Sequence, residues 1–192
     1  MNEQKLLDLF KEKKALLEGH FLLSSGLHSD RYFQSALLLQ YPEIAAELGR
    51  LIAEKFTEKV DAVVSPALGG LIIGQEVARA KKCRAIFTER DNGQMTLRRG
   101  FRISPQEKLL LIEDVVTTGG SSKEVMAVIK SFQGEVVGVG ALVNRSEGEM
   151  IFAVPLRALA QLPVKTYQAE NCPWCREGIP LVKSGSKKIS LC

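Results

Sequence analysis

Long hydrophobic runs are missing from this sequence, and their absence argues against a protein with membrane-spanning helices. No apolar stretch approaches the roughly 18–20 residues that a membrane-spanning helix needs. The N-terminal stretch MNEQKLLDLFKEKK contains acidic side chains and lacks the apolar segment of a secretory signal peptide. We therefore expect a cytoplasmic protein with no membrane partner.

Cysteine and strong charge are also scarce. Four cysteines in a chain of 192 residues with no export signal predict reduced thiols and not a disulfide framework. The net charge of +4 and the pI of about 8.9 are only mildly basic. An excess of this size does not indicate a nucleic-acid partner, and it suits a small polyanionic substrate such as a sugar phosphate.

The chain has instead an alternation of short apolar strands and helical segments, which predicts an α/β fold. Helical spacing covers residues 2–17, and a second helix begins at Pro42. The segments DAVVS, CRAIFTE, KLLLIED and GEVVGVGALVNR are predicted strands, with helical patterns between them. This order predicts a mainly parallel central sheet flanked by helices. Ligands bind at the carboxyl ends of such strands, where SPALGG, IEDVVTTGG and VNRSEG follow.

The stretch LLLIEDVVTTGGSS, residues 109–122, is the most specific motif. A buried strand leads into the carboxylates of Glu113 and Asp114, and hydroxyls and a glycine pair follow where a helix begins. Glycines let backbone N–H groups approach a ligand, and a helix N-terminus attracts phosphate. The acid pair suits ribose hydroxyls or a Mg²⁺ site. The alternative is an ordinary strand-to-helix turn. A Walker A loop is excluded because its lysine is missing.

This motif resembles the 5-phosphoribosyl 1-pyrophosphate (PRPP) signature of type I phosphoribosyltransferases. Residues 18–145 resemble the orotate phosphoribosyltransferases of pyrimidine biosynthesis, and CPWCREGIPLVKSGSKK resembles a subgroup seen in Thermus-like bacteria. The resemblance implies transfer of the phosphoribosyl group from PRPP to orotate, giving orotidine 5′-phosphate and pyrophosphate, with Mg²⁺ as cofactor. It also implies one phosphoribosyltransferase domain over residues 1–192. Within that domain, residues 1–40 would form a first helix and a small hood, 41–160 the core, and 161–192 a C-terminal segment.

The resemblance further assigns roles to individual residues. Glu113 and Asp114 would hold the ribose hydroxyls, and Arg145 would pair with the orotate carboxylate. Tyr32, Phe33 and Thr117 would also contact orotate. The remaining implied PRPP-binding residues are Val115, Val116, Thr117, Thr118, Gly119, Gly120 and Ser121 in the signature, with Ala67, Leu68, Gly69 and Gly70 in the pyrophosphate loop. From residue type alone, Tyr32 and Phe33 are more typical of a core, and Arg145 of a surface.

The stretch FTERDNGQMTLRRGF, residues 87–101, lies where the resembled family has a mobile catalytic loop. An arginine-bearing flap would neutralise the leaving pyrophosphate and exclude water. Arg90, Arg98 and Arg99 are the catalytic residues this implies, the last two replacing the family's usual Lys and His. In the resembled family the loop reaches a neighbouring subunit, which implies a homodimer. The alternative is an exposed hairpin with solvated arginines.

CPWC, residues 172–175, has a thiol spacing typical of zinc or redox sites. No second CxxC is present, and the other thiols are Cys83 and Cys192, so a packed, reduced pair is the plainer interpretation. His20 and His28 lack metal-ligand spacing, which favours capping or surface roles. No metal ligands are therefore assigned.

Two other functions share the PRPP motif. A purine-type phosphoribosyltransferase would have the same loop and a base pocket without a positive partner for a carboxylate. A PRPP-sensing regulator would bind PRPP without turnover. It would be expected to carry a nucleic-acid-binding segment, and no such domain precedes residue 18.

Overall fold

The structure, a computed structural model, describes residues 3–23, 26–146, 152–162 and 165–183. Its helices are α1 (Glu3–Glu12), α2 (Ala36–Leu39), α3 (Pro42–Glu54), α4 (Gly70–Lys81), α5 (Gly120–Ser131) and α6 (Pro173–Arg176). Its strands are β1 (Leu16–Leu22), β2 (His28–Phe33), β3 (Ala62–Pro66), β4 (Arg84–Asp91), β5 (Gln94–Leu97), β6 (Lys108–Val116), β7 (Glu135–Asn144), β8 (Leu156–Gln161), β9 (Thr166–Tyr167) and β10 (Val182–Lys183). Within these ranges no helix is both long and apolar enough to span a bilayer.

The larger sheet has the strand order β5-β4-β3-β6-β7-β8. Strands β4, β3, β6, β7 and β8 pair in parallel, and only the edge strand β5 is antiparallel to its neighbour. Strand β6 lies at the centre, and its residues 109–112 are fully buried. This confirms the predicted α/β fold with a mainly parallel sheet.

Helices cover both faces of this sheet, because successive side chains of β6 point to opposite sides. Leu110 and Ile112 pack in one apolar layer, which includes residues of α1, α3 and α4. Leu109 and Leu111 pack in the other layer, which includes α5. Truncating any one of these leucines to alanine removes buried contacts and costs about 2–5 kcal/mol. The uniformly apolar sequence of β6 is therefore explained by burial on both faces.

A second sheet, with the order β10-β1-β2-β9, forms the hood. Strands β1 and β2 of the hood pair antiparallel. The hood also recruits strands from residues 166–183, which local pattern did not indicate. The division into 1–40, 41–160 and 161–192 stays a prediction.

The first helix is shorter than predicted. It ends at Glu12, and residues 16–17 begin β1 instead of continuing the helix. Lys14 adopts a left-handed conformation with φ of 54°. The Ala15 amide donates to Phe10 O at 2.8 Å, and the Lys14 amide donates to Lys11 O at 3.0 Å. This pair of bonds is a Schellman motif, which terminates the helix without the usual glycine.

Candidate active site at the carboxyl edge of the sheet

Three loops meet at the carboxyl edge of the larger sheet because β3, β6 and β7 run in parallel and pair directly. The loop after β3 touches the acid pair that ends β6. A Cβ atom added to Gly69 would lie 2.6 Å from Asp114 Oδ2, so no side chain fits there. Arg145 follows β7, and its amide donates to Val116 O at 2.8 Å. The predicted PRPP segment, pyrophosphate loop and Arg145 are therefore brought to one edge.

Asp114 is held in place on both of its carboxylate oxygens. Ser35 Oγ donates to Asp114 Oδ2 at 2.5 Å, and the Val115 amide donates to Oδ1 at 2.9 Å. Ser35 is buried and lies just before α2. Sequence reasoning missed Ser35, because nothing local links it to a residue 79 positions later in the chain. The two contacts fix the position of the Asp114 carboxylate at the carboxyl end of β6.

Glu113 has a different environment from its neighbour. Its side chain is buried, and Ser122 Oγ donates to Glu113 Oε1 at 3.0 Å. Burial raises the pKa of Glu113, the charge of Asp114 also raises it, and the Ser122 hydrogen bond lowers it, so that the pKa is about 8. The adjacent carboxyls are thus chemically unequal, and at neutral pH Glu113 is mainly protonated.

A left-handed glycine and exposed hydroxyls lie at the N-terminus of α5. Gly119 has φ of 74°, a left-handed conformation that favours glycine, and α5 begins at the next residue. Thr117, Thr118 and Ser121 are exposed and present hydroxyls at this end. Hydroxyls and the first amides of a helix together donate hydrogen bonds to phosphate oxygens.

Val115 and Val116 do not present their side chains to this turn. Val115 packs against one apolar layer and Val116 belongs to the other. The Val115 amide and the Val116 carbonyl are used within the protein, by Asp114 and Arg145 respectively. Their implied role in binding PRPP stays a prediction.

The loop after β3 is exposed at its tip. Leu68 is 76% exposed, and the peptide bond between Ala67 and Leu68 is cis. The Ala67 amide donates to Thr88 O at 2.7 Å. The Ala67 amide therefore already has a partner in β4, and the role of residues 67–70 in binding pyrophosphate stays a prediction.

Arg145 is a partly buried cation that forms no ion pair within the described ranges. Its Nε is buried and makes no hydrogen bond, and no acid of the described ranges lies within 4.0 Å of its guanidinium. Burial lowers its pKa, while the charges of Asp30 and Tyr32 raise it. Tyr32 is half-buried, and its pKa is raised by burial and by Asp114 and lowered by Arg145. Tyr32 therefore lies in the field of both Asp114 and Arg145.

Phe33 does not lie with Tyr32. It is 7% exposed and packs against Phe10, with ring centroids 4.7 Å apart. Adjacent residues of a strand point to opposite faces, so Tyr32 and Phe33 do not share one surface. The Phe33 ring lies in the core, as its residue type indicates, and its implied orotate contact stays a prediction.

The arginine-rich stretch forms an antiparallel hairpin of β4 and β5, with its turn at Asn92 and Gly93. Its arginines have acidic partners. Arg99 donates to both carboxylate oxygens of Glu89, at 3.0 and 2.9 Å, and Arg98 lies 3.3 Å from Asp91. Arg90 reaches Glu124 of α5 at 2.7 Å. The hairpin alternative was therefore right about shape, whereas its arginines are ion-paired and not merely solvated.

His20 and His28 are neither isolated nor exposed, so the expected capping or surface roles are wrong. They are 2% and 5% exposed, and His20 Nε2 lies 2.9 Å from His28 Nδ1. The pairing of β1 with β2 brings them together, since Leu22 faces His28 across the ladder. If β1 and β2 had been predicted as paired strands, the positions of His20 and His28 would have indicated that their side chains lie on the same face.

Comparison with known proteins places the chain. The phosphoribosyl transferase domain family matches residues 35–151. An orotate phosphoribosyltransferase of Caldanaerobacter subterraneus subsp. tengcongensis is 50% identical over 190 residues, covering 98% of this chain and 100% of the relative. One of Carboxydothermus hydrogenoformans is 55% identical over 186 residues, covering 95% and 97%.

Solved structures agree with these sequence matches. The crystal structure of orotate phosphoribosyltransferase from Aeropyrum pernix superposes with a TM-score of 0.67 at 26% identity, covering 82% of this chain and 93% of that one. The family match, the full-length relatives and the shared fold all indicate a phosphoribosyltransferase. The chain belongs to the phosphoribosyltransferase family, and within it to the orotate phosphoribosyltransferases.

Proposed function

We propose that this protein transfers the 5-phosphoribosyl group from PRPP to orotate, releasing pyrophosphate and forming orotidine 5′-phosphate in pyrimidine biosynthesis. The observation that carries the base assignment is the partly buried Arg145 beside Tyr32, whose Nε is buried without a hydrogen bond. Burying part of a cation without a carboxylate costs free energy that an anionic ligand would offset. The carboxylate of orotate is such a ligand, and a neutral purine base is not.

The sugar-phosphate half of the substrate fits the segment after β6. The exposed hydroxyls of Thr117, Thr118 and Ser121, with the amides at the start of α5, would bind the 5-phosphate. Asp114, fixed by Ser35, would accept hydrogen bonds from the ribose hydroxyls. Glu113 in its protonated form would add a donor as well as an acceptor, without a second negative charge beside Asp114.

Mg²⁺ is the cofactor expected with this substrate. The donor set at the acid pair consists of carboxylate and hydroxyl oxygens, which suits a hard cation. Asp114 is the residue that would hold it, because Glu113 is mainly protonated at neutral pH. When bound, the ion would neutralise the negative charge of the pyrophosphate group.

The hairpin of β4 and β5 is proposed to close over the leaving group. As the bond from the anomeric carbon to pyrophosphate breaks, positive charge develops on the sugar and negative charge on the leaving oxygen. Arg98 and Arg99 would exchange their pairing with Asp91 and Glu89 for the pyrophosphate oxygens, and the hairpin would exclude water. Arg90 stays paired with Glu124 on α5 and would anchor the hairpin beside the phosphate turn. Action on a neighbouring subunit's site would require a homodimer.

A base screen tests this function. Protein, Mg²⁺ and PRPP are mixed separately with orotate, uracil, hypoxanthine, guanine, xanthine and adenine, and pyrophosphate release is followed. Release with orotate alone is expected. Release with a purine would retain the PRPP site and refute the orotate pocket. PRPP binding without release on any base would indicate a regulator.

Two arginine variants make the screen specific to the base pocket. Arg145→Ala removes a guanidinium with no ion pair in the described ranges, whereas Arg31→Ala removes a partly exposed arginine on β2 whose Nε lies 3.9 Å from Glu18. Only Arg145→Ala is expected to abolish the preference for orotate. A similar loss in both variants would refute a specific role of Arg145 in the preference for orotate.

A further inference from the structure

Four metal-binding side chains from three separate segments meet inside the hood. They are His20 of β1, His28 of β2, and Cys172 and Cys175 around the start of α6. One ligand atom from each lies within 4.8 Å of the others. His20, His28 and Cys172 are buried, and Cys175 is exposed. Two thiols and two imidazoles are the ligand set of many structural zinc sites.

The distances fit a tetrahedron around one ion. Sulfur at about 2.3 Å and nitrogen at about 2.0–2.1 Å from zinc give N···S edges of about 3.5 Å and an N···N edge of about 3.3 Å. His20 Nε2 lies 3.4 Å from Cys172 Sγ and 3.7 Å from Cys175 Sγ, and His28 Nδ1 lies 3.3 Å from Cys175 Sγ. The N···N distance of 2.9 Å needs to open by only about 0.4 Å.

Hydrogen bonding alone does not satisfy this cluster. His20 Nδ1 lies 2.8 Å from the carbonyl oxygen of Ile179, which can only accept, so Nδ1 carries the hydrogen. Neutral His20 then has a single lone pair, on Nε2. His28 Nδ1 and both thiols approach that one lone pair, and it can accept from only one of them. A metal ion at the centre of the cluster binds a lone pair from each of the two imidazoles and two sulfurs. The groups then no longer compete for the one lone pair of His20 Nε2.

The Ile179 contact is also what a metal-bound histidine needs. A ligating imidazole usually donates its other N–H to a carbonyl or carboxylate, which fixes the tautomer and orients the ring. The Trp174 ring stacks over His20 at a centroid distance of 6.3 Å and packs edge-on against Tyr167 at 5.5 Å. Carbonyl and indole together hold His20 with Nε2 directed at the thiols.

The C-terminal part of the hood has little else to hold it. Between residues 165 and 183, Cys172 is the one buried side chain, and Ile179, Leu181 and Val182 are 38%, 42% and 50% exposed. Its strands β9 and β10 contribute two residues each to the sheet. Neither apolar layer of the described chain includes a residue of this segment. Small segments without a core of their own commonly depend on a metal or a disulfide.

We propose that His20, His28, Cys172 and Cys175 bind one structural zinc ion that fastens the C-terminal segment to the hood. All four positions are protein ligands, so the site is closed and has no open position for catalysis. His28 and Tyr32 lie on the same strand, so the ion would also steady the strand that carries Tyr32. Zinc binding at this cluster does not depend on the base that the enzyme uses.

The test measures zinc directly. Tag-free protein is produced in zinc-supplemented medium, purified under reducing conditions without chelators, and analysed by mass spectrometry for metals. The wild type and Cys83→Ser, which removes a thiol outside the cluster, are expected to contain about one zinc per chain. The double variant Cys172→Ser/Cys175→Ser is expected to lose it. Equal zinc in all three proteins would overturn the proposal.

A second measurement uses the wild type alone, in case the double variant does not fold. Zinc is removed with a chelator under reducing conditions, and Co²⁺ is added. Strong visible bands of tetrahedral, thiolate-bound cobalt, together with protection of two thiols from alkylation, are expected. A wild type that contains no zinc and gives no such bands, or one isolated with a Cys172–Cys175 disulfide, would refute the site regardless of any result from the base screen.

Discussion

Replacing Glu113 with glutamine should change how stability depends on pH. The folded protein raises the pKa of this carboxyl from an ordinary 4.5 to about 8, chiefly by burial. The folded state therefore holds the proton more tightly than the unfolded state. The stability contributed by the protonated form is fully present below about pH 4.5 and is lost as the pH rises through about 8.

The size of the effect follows from the two pKa values. Each unit of difference is worth about 1.36 kcal/mol, so an ionised, buried Glu113 costs up to about 5 kcal/mol. From about pH 5 to about pH 8 the wild type should lose about 3 kcal/mol of unfolding free energy through this group. Glutamine cannot ionise, so the variant escapes this loss while it keeps a hydrogen-bonding partner for Ser122.

Urea unfolding at about pH 5 and about pH 8 measures the difference. The free energy of unfolding of Glu113→Gln minus that of the wild type should rise by about 3 kcal/mol between the two pH values. Glu135→Gln, at an exposed position on β7, controls for the chemical change itself. A difference that is the same at both pH values would refute the raised pKa and the chemical inequality of Glu113 and Asp114.

Three further outcomes are expected in steady-state and binding assays. Gly69→Ala forces a methyl group against the Asp114 carboxylate and should cost about 1–3 kcal/mol, or about 5- to 150-fold in kcat/KM for PRPP; unchanged kinetics would contradict the close contact. Arg145→Ala should lower kcat/KM for orotate by about 10- to 150-fold and leave equilibrium PRPP binding nearly unchanged; equal losses would argue against a base-side role. Arg99→Ala should lower kcat much more than it lowers PRPP affinity. Glu89→Gln removes only the partner of Arg99 and should not lower kcat in this way. The same kinetics in both variants would exclude a catalytic role for Arg99.

The central sheet and the phosphate turn were predictable because their signals are local. The apolar run of β6 reports burial on both faces, and the acids, hydroxyls and glycines that follow it are contiguous in the chain. Any fold that buries this strand presents those groups together at the strand's end. The expected meeting of three loops at one edge followed from parallel pairing and was confirmed.

Two local features were harder to predict: the opposite faces of adjacent strand residues and the end of the first helix. The resemblance assigned Tyr32 and Phe33 to one surface, and strand geometry separates them, with Phe33 packed against Phe10. The helix over residues 2–17 was overextended because a lysine, not a glycine, takes the left-handed position at residue 14. In both cases the local pattern was compatible with two conformations, and packing selected one.

By itself the sequence determined the chemistry of the PRPP segment, since every group needed lies within 14 residues, 109–122. Only the tertiary structure joined Asp114 to Ser35, and His20 to Cys172 across 152 positions. No periodicity links residues so far apart, because their contact depends on how β2 and the C-terminal strands pair in the hood. The isolated histidines and the lone CPWC motif of the sequence become one four-ligand cluster only when that sheet has formed.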